Sequence, residues 1–148
     1  MNRRARGLRV CRLAACLLPA VLINACMSPL QDFPPWGKVT RIEILKTTSP
    51  HGDVVKEISD PAQVAKIVAF VNANRTGYRE PWFGEPIPSI DVAFYDRNLY
   101  QGHFGVGPEF FEIHRGSITF MSRPASEEEV NEIMELINLK SDLLRRQS

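Results

Sequence analysis

Residues 60–71, with the sequence DPAQVAKIVAFV, show the start and the apolar spacing of an amphipathic helix. Asp60 is a favourable N-cap, Pro61 suits the first helical turn, and Gln63 stands three residues after the cap. Four apolar residues then recur at the i, i+3, i+4 and i+7 spacing of one helix face, namely Val64, Ile67, Val68 and Val71. The segment therefore predicts a helix that packs this face against a sheet.

Runs of alternating apolar and polar residues lie on both sides of this helix, two before it and four after it, and predict six strands. Most of these runs are joined by short turns, which favours antiparallel pairing. The predicted strands are Val39–Leu45, Val54–Ile58, Ser89–Tyr95, Leu99–Val106, Phe110–His114 and Ser117–Met121.

A second helix is predicted after the last strand. Ser126 and Glu129 have the spacing of a capping box. Its apolar stripe consists of Val130, Ile133, Met134 and Ile137. The order β-β-α-β-β-β-β-α predicts one small α+β domain over residues 38–139, with a mainly antiparallel sheet and both helices on one face. We expect residues 140–148 to form a frayed tail.

The first 25 residues are typical of an export signal. Five arginines lie before the apolar run Leu13–Ala25, and no acidic residue lies before or within it. The run is shorter than the roughly 20 apolar residues that a membrane-spanning helix needs, and Pro19 would interrupt a helix there. We therefore predict that residues 1–25 are a signal peptide that is removed from the mature protein.

The segment Ile23-Asn24-Ala25-Cys26 resembles the lipobox of bacterial lipoprotein precursors. The resemblance implies that the Cys26 thiol receives a diacylglycerol, that the chain is cut before Cys26, and that the new amino group is usually acylated. The match departs from the commonest form at Ile23, where Leu is usual, and at Asn24, where Ala or Ser is usual. Ordinary secretory cleavage near the same point, which would leave Cys26 as a free thiol, is the alternative.

Cysteine usage favours lipid attachment. Cys11 and Cys16 lie inside the predicted signal, so cleavage would leave Cys26 as the one cysteine of the mature chain. A lone thiol is a liability in an oxidising compartment, and lipid attachment would remove it. The resemblance also implies sorting to the outer membrane, facing the periplasm, because Met27 follows the cysteine where Asp would favour retention in the inner membrane.

The predicted mature chain is mildly acidic. The full chain has eighteen Lys and Arg and seventeen Asp and Glu, and the signal contains five of the basic residues and none of the acidic ones. Thirteen basic and seventeen acidic residues remain, a net charge of −4 with neutral histidines. This charge argues against a nucleic-acid partner and gives no polybasic patch for anionic lipid. Membrane attachment would then depend on acyl chains, of which two or three hold stably.

Residues 26–37 are rich in proline and show neither a helix nor a strand period. They predict a tether between membrane and domain, which Pro34 and Pro35 stiffen towards polyproline II. We expect Trp36 to fold back onto the edge of the domain, because a large apolar ring favours burial.

The segment Tyr78–Pro88, YREPWFGEPIP, predicts a long loop, because it contains three prolines and Gly84. Aromatic residues and Arg are enriched at binding hot spots, and proline reduces the entropy lost on binding. The candidate partner-binding residues are therefore Tyr78, Arg79, Trp82 and Phe83. The alternative is that Trp82 and Phe83 plug the open end of the sheet.

Patterns for catalysis or metal binding are weak. His51, His103 and His114 lack ligand spacing on a common element. His103 and His114 could approach across adjacent strands, near Asp91 or Glu112, although half-exposed histidines on strands are common. Paired carboxylates at Asp91 and Glu112, or at Glu80 and Glu85, are more simply solvated charges, and no nucleophile-elbow motif is present.

The glycines of residues 102–107, GHFGVG, do not have phosphate-loop spacing, and no helix start follows them. Glycines in a strand more often mark a bulge or the close approach of another backbone. They could therefore let the Tyr78–Pro88 loop lie across the sheet.

Together these observations predict a lipid-anchored envelope protein without cofactor, metal or catalytic activity, which acts as a binding or accessory module for a protein partner. A periplasmic inhibitor or immunity-type protein is the alternative. A small hydrolase ranks third, because it would need a pocket in which polar groups converge.

Replacing the lipobox cysteine tests the anchor. In Cys26→Ser the thiol that would take the diacylglycerol is gone, so we expect an unprocessed or soluble protein that incorporates no labelled fatty acid. Metabolic labelling and membrane fractionation measure this. Fatty-acid label that persists on the Ser variant would show that the assignment is wrong.

Overall fold

The computed structural model of this protein describes residues 29–47, 53–81, 84, 86–116, 118–140 and 144. The predicted signal, Cys26 and Met27 lie outside these residues, as do His51, Trp82, Phe83, Glu85 and Ser117. Within the described part of the chain, six strands and two helices follow the predicted order β-β-α-β-β-β-β-α. The predicted α+β class with a mainly antiparallel sheet is confirmed.

The six strands form one sheet in which every neighbouring pair is antiparallel. Their order across the sheet is β2-β1-β3-β4-β5-β6. Helix α1 (Pro61–Ala73) connects β2 to β3, which lie on either side of β1. The strands are β1 (Arg41–Lys46), β2 (Asp53–Ile58), β3 (Ile90–Asp96), β4 (Leu99–Val106), β5 (Phe110–Arg115) and β6 (Ile118–Pro124).

Helix α1 begins as the sequence predicts, since the Asp60 carboxylate accepts a hydrogen bond of 2.8 Å from the backbone N–H of Gln63. Its buried face differs from the predicted stripe at one position. Phe70 is buried and Val68 is only partly buried. The Phe70 ring packs edge-on against Phe104 and Phe111 of the sheet, with ring centroids 6.4 and 6.0 Å apart. The helix is therefore rotated about its axis so that Phe70 is more fully buried than Val68.

Helix α2 (Glu127–Leu136) has the predicted capping box between Ser126 and Glu129. All four residues of its predicted stripe are buried, from Val130 to Ile137. Arg123 of β6 joins the two helices to the sheet. Its guanidinium donates to the Asn74 side chain at the end of α1 over 2.6 Å and to Glu129 of α2 over 2.8 Å.

The core lies between the helices and one face of the sheet. The register places Val92 opposite both Ile44 and Phe104, and Phe104 in turn opposite Ile113. Apolar side chains thus form a continuous row across the strands, on the face that the helices cover. Alternate residues of the same strands face the other way.

The predicted tether is wrong over residues 31–37, which are docked on the domain; we name this segment the N-terminal strap. The Gln31 N–H donates to the Tyr78 carbonyl over 2.7 Å, and the Tyr78 N–H donates back over 3.0 Å. Phe33 is buried with its ring edge-on to Tyr78 at 5.1 Å. Trp36 is buried against Phe94 at 4.4 Å, so its predicted return to the domain is confirmed. The segment docks because these two rings gain more from burial than the chain loses in freedom.

The predicted frayed tail, residues 140–148, is wrong at one position. Leu144 has an apolar side chain, which lies buried in the core cluster. Residues 141–143 and 145–148 lie outside the described part of the chain.

The core position of Ile67 predicts that Ile67→Asp unfolds the domain, because Ile67 is fully buried. Burying an unpaired carboxylate costs several kcal/mol, comparable with a total stability of about 5–15 kcal/mol. Thermal unfolding followed by circular dichroism measures the effect. Ala65→Asp is the control, since Ala65 is exposed on the same helix, and we expect it to change stability by less than about 1 kcal/mol. An Ile67→Asp protein that melts at the wild-type temperature would contradict the position of the helix.

Candidate functional site

The face of the sheet opposite the helices, here called the open face, carries polar and aromatic residues at its centre. The register aligns Asp91 with Gly105 and Gly105 with Glu112 across β3, β4 and β5. In the adjoining row His103 of β4 lies directly opposite His114 of β5. Five side chains on this face are named the polar cluster: Asp91, Tyr100, His103, Glu112 and His114.

His103 is the centre of the polar cluster. Its Nε2 atom lies 3.7 Å from Glu112 Oε1 and 4.0 Å from Asp91 Oδ1. Its Nδ1 atom lies 2.7 Å from the Tyr100 hydroxyl. The ring centroids of His103 and His114 are 5.1 Å apart. One imidazole therefore stands between a phenol on one side and two carboxylates on the other.

Glu112 is the most unusual member, because its side chain is 1% exposed. Within the described residues, Glu112 Oε2 and His114 Nδ1 are buried without a hydrogen-bond partner. Burying a carboxylate is costly unless it is paired and hydrogen-bonded. The polar cluster thus contains a buried Glu112 carboxylate that lowers the stability of the fold. Such costly buried groups are often found at sites that act on ligands.

The end of the Tyr78–Pro88 loop contributes to this burial. A Cβ atom built on Gly105 would lie 2.9 Å from the Pro88 ring and 3.1 Å from the Glu112 Cβ atom. The glycine therefore lets Pro88, the last residue of the loop, lie directly on the sheet beside Glu112. The Thr47 hydroxyl donates to the Pro88 carbonyl, and the Ser89 N–H donates to Val106 over 3.0 Å.

Aromatic rings flank the two histidines. Phe120 of β6 stacks on His114, with ring centroids 5.1 Å apart and planes inclined by 17°. On the other side, Tyr100 lies against Tyr95 at 5.6 Å and is 45% exposed. The guanidinium of Arg41, which is paired with Glu43, stands 4.2 Å above the Tyr95 ring. The open face therefore offers ring surface and charge together.

The surroundings fix two protonation states. Burial, and then the charge of His103, lower the pKa of His114, so this imidazole is neutral at pH 7. Burial, and then Asp91 and Tyr95, raise the pKa of Tyr100 to about 12, so its hydroxyl keeps its proton. When that hydroxyl donates to His103 Nδ1, a neutral His103 carries its own proton on Nε2, which faces the carboxylates.

Chemically, this arrangement can present hydrogen-bond donors and acceptors to a ligand, or pass a proton between Tyr100 and His103. Among the described residues, no group of three or more His, Cys, Asp or Glu side chains is arranged to hold a metal ion. The described helices also include none with the length and apolar character needed to cross a membrane.

The structure places two of the four candidate partner-binding residues. Tyr78 is 0% exposed and lies in the core, so its assignment to a binding surface is corrected: its ring packs against Phe33, and burial raises the pKa of its hydroxyl. Arg79 is half-buried, and its backbone pairs with Ser122 of β6. Trp82 and Phe83 lie outside the described residues.

The sequence allows His103 and His114 to meet across adjacent strands, although it favours two separate, half-exposed histidines. The structure brings them together with Asp91 and Glu112, because the register places all four on one face. The pairing of His103 with His114 continues the register set by the short turn at residues 107–109. The pairing of Asp91 with Gly105 does not follow from the turn at residues 97–98, because a bulge between Phe94 and Tyr95 shifts the register there. The sequence therefore contained a signal for the two histidines, but none for the bulge or for the burial of Glu112.

Comparisons of this chain with protein-family models, with curated proteins and with solved structures find no match in any of the three.

The position of His114 predicts a pH dependence of folding stability. The unfolded imidazole titrates near pH 6.5 and the folded one lower, so the unfolded chain binds more protons as the pH falls. Stability is therefore fully present above about pH 6.5 and falls as the pH passes through the folded pKa. We expect the melting temperature to decrease over this interval, and His114→Gln to remove part of the decrease.

Glu129→Gln is the control, because hydrogen bonds from Arg123 hold the pKa of Glu129 below 4.5. The stability that this carboxylate adds is present above pH 4.5 and is lost below it. The control should therefore change the profile only at the more acidic end. A His114→Gln protein with the wild-type slope near pH 6 would contradict the assignment, and melting curves across the pH range measure both.

Proposed function

We propose that this protein is a lipid-anchored protein of the bacterial cell envelope that acts as a non-catalytic binding or accessory module for a protein partner. Its anchor is the lipid on Cys26, and its recognition surface is the open face. The observation that carries the proposal is the combination, on that face, of the buried Glu112 carboxylate with the exposed ring of Tyr100.

The open face has the composition of a recognition surface. Tyr100 is a rigid, half-exposed aromatic side chain with a polar end, the type that anchors protein interfaces. His103 and Asp91 lie beside it with about a fifth of each side chain exposed. A partner that covers this surface would bury the rings and meet an existing set of hydrogen-bonding groups.

Charge indicates what the partner presents. The mature chain carries a net charge of −4, and the Asp91 side chain is about one fifth exposed on the open face. A basic side chain would complement this charge, and opposite charge raises the rate of association. We therefore propose a partner with a basic patch, located with this protein at the outer membrane and facing the periplasm.

A small hydrolase is the second candidate, and the contact of Tyr100 with His103 favours it. A phenol, an imidazole and a carboxylate in contact can serve as general acid and base. Loss of turnover in His103→Gln, with any captured protein still bound, would support the enzyme. An inhibitor or immunity-type protein would instead be revealed if the captured partner were an enzyme that loses activity in the complex.

Capture from envelopes tests the binding module. The lipidated protein is recovered from density-separated, detergent-solubilised membranes, which also locates it, and bound proteins are identified by mass spectrometry. Truncating an interface hot spot costs about 2 kcal/mol or more, roughly thirtyfold in affinity. We therefore expect Tyr100→Ala to lose the captured partner while melting within a few degrees of wild type, because Tyr100 is 45% exposed.

Lys66→Ala is the matched control, because Lys66 is exposed on α1, on the other side of the sheet. It should capture the partner as well as the wild type does. Equal capture by Tyr100→Ala, with the fold intact, would show that the open face is not the recognition surface.

A further inference from the structure

The two histidines of the polar cluster lie close enough for the charge on one ring to affect the other. The ring centroids of His103 and His114 are 5.1 Å apart, and their planes are inclined by 36°. Two positive charges at this separation repel one another, so a proton on one ring opposes the protonation of the other. As the pH falls, the pair therefore takes up a first proton more readily than a second.

The groups around the two rings decide which ring is protonated first. His103 Nε2 lies 3.7 Å from Glu112 Oε1 and 4.0 Å from Asp91 Oδ1, and nearby carboxylates favour the charged form of an imidazole. His114 Nδ1 is buried without a hydrogen-bond partner among the described residues, and the Phe120 ring stacks on its imidazole. A protonated His114 would bury an N–H group at Nδ1 for which the described residues provide no acceptor, at a cost in free energy. The first proton therefore goes to His103.

Charged and titratable groups reach His103 from the strands around it. Those that face it are Asp91 of β3, Tyr100 of β4, and Glu112 and His114 of β5. Glu43 of β1 stands in the same row of the sheet, with Ala93 between it and His103, and is paired with Arg41. Pro88 is the loop residue that lies on the neighbouring row, and it carries no charge. The two carboxylates are therefore the charges that act on His103 at short range.

Protonation of His103 reverses its hydrogen bond with Tyr100. The Tyr100 hydroxyl lies 2.7 Å from His103 Nδ1. Nδ1 accepts this hydrogen bond in the neutral ring that has its proton on Nε2, whereas in the imidazolium Nδ1 carries a hydrogen and can only donate. The Tyr100 hydroxyl keeps its own proton, so it must turn, accept from Nδ1 and direct its hydrogen elsewhere. Because Tyr100 is 45% exposed, that hydrogen is presented at the surface.

We propose that the open face is a pH-sensitive recognition surface, in which His103 takes up one proton from solvent and thereby reverses the Tyr100 hydrogen bond. The same proton offsets one of the two negative charges of Asp91 and Glu112. This inference rests on the recognition surface of the proposed function, whose partner has a basic patch. Such a partner is held at neutral pH and released under mildly acid conditions, because the cluster then attracts a positive charge less strongly.

Nuclear magnetic resonance of the histidine rings, recorded on the purified protein in detergent, tests the proton uptake. The chain has three histidines, so single His→Gln variants assign each ring signal. We expect His103 to titrate at a higher pH than His114. Glu112→Gln and Asp91→Asn should each lower the pH at which His103 titrates, because each removes a carboxylate that favours the imidazolium.

Glu132→Gln is the matched control, because Glu132 is exposed on α2, on the other side of the sheet. It should leave the titration of His103 unchanged. Circular dichroism at each pH verifies that the fold is intact, since the stability also falls as His114 becomes protonated. The proposal is overturned if the two histidines of the cluster titrate at the same pH, or if neither carboxylate variant lowers the titration of His103.

Release of the captured partner tests the effect on binding. Complexes formed at neutral pH are washed at about pH 7.5 or about pH 5.5, on either side of the ordinary imidazole pKa of about 6.5. We expect the wild type to release several-fold more partner in the acid wash. His103→Gln should release the same fraction in both washes, whatever its affinity, because an amide takes up no proton in this range.

The outcomes separate the switch from the proposed function. Equal release from the wild type in the two washes overturns the switch. Absence of any captured partner at neutral pH overturns the recognition surface of the proposed function, and the switch of binding with it, while the titration of His103 still decides whether the polar cluster takes up the proton as proposed.

Discussion

The alternation of side chains along β3, β4 and β5 is the constraint on which the rest of the structure depends. Val92, Phe104 and Ile113 are aligned across these strands and face the helices. Their neighbours in the chain must then face the other side. Asp91 and His103 reach the open face for this reason. A shift of one residue in register would exchange the two sets and place carboxylates and imidazoles in the core, so the apolar packing and the polar cluster are determined together.

Local signals made much of this fold predictable. Both helix starts depend on residues within one turn, Asp60 with Gln63 and Ser126 with Glu129, and both were predicted correctly. The N-terminal strap was not, because nothing near Phe33 or Trp36 indicates burial. The groups that hold them, Tyr78 and Phe94, are more than forty residues away in the sequence. A proline-rich segment without periodicity resembles a free linker until its distant contacts are known.

The candidate site also has one part that local sequence signals predict and one part that depends on distant contacts. The pairing of His103 with His114 follows from the strand register, which short turns determine. The burial of Glu112 depends on Pro88, which lies against Gly105 at the end of a long loop. Composition also misled at Tyr78, since aromatic residues are enriched both at interfaces and in cores. Only the position of the backbone beside Gln31 decides that this tyrosine belongs to the core.

The strap also has a consequence for where the folding unit begins. A sheet edge with unpaired backbone groups is a template for pairing with another chain. At β6 the protein's own residue 79 pairs with Ser122, and residue 31 pairs in turn with residue 78. The β2 edge carries the charged residues Asp53, Lys56 and Glu57, which discourage such pairing. A chain that began at Lys38 would retain every helix and strand yet expose the surfaces that Phe33 and Trp36 cover. Such a truncated domain would be prone to aggregation, because it would combine the unpaired backbone of Tyr78 with newly exposed apolar surface.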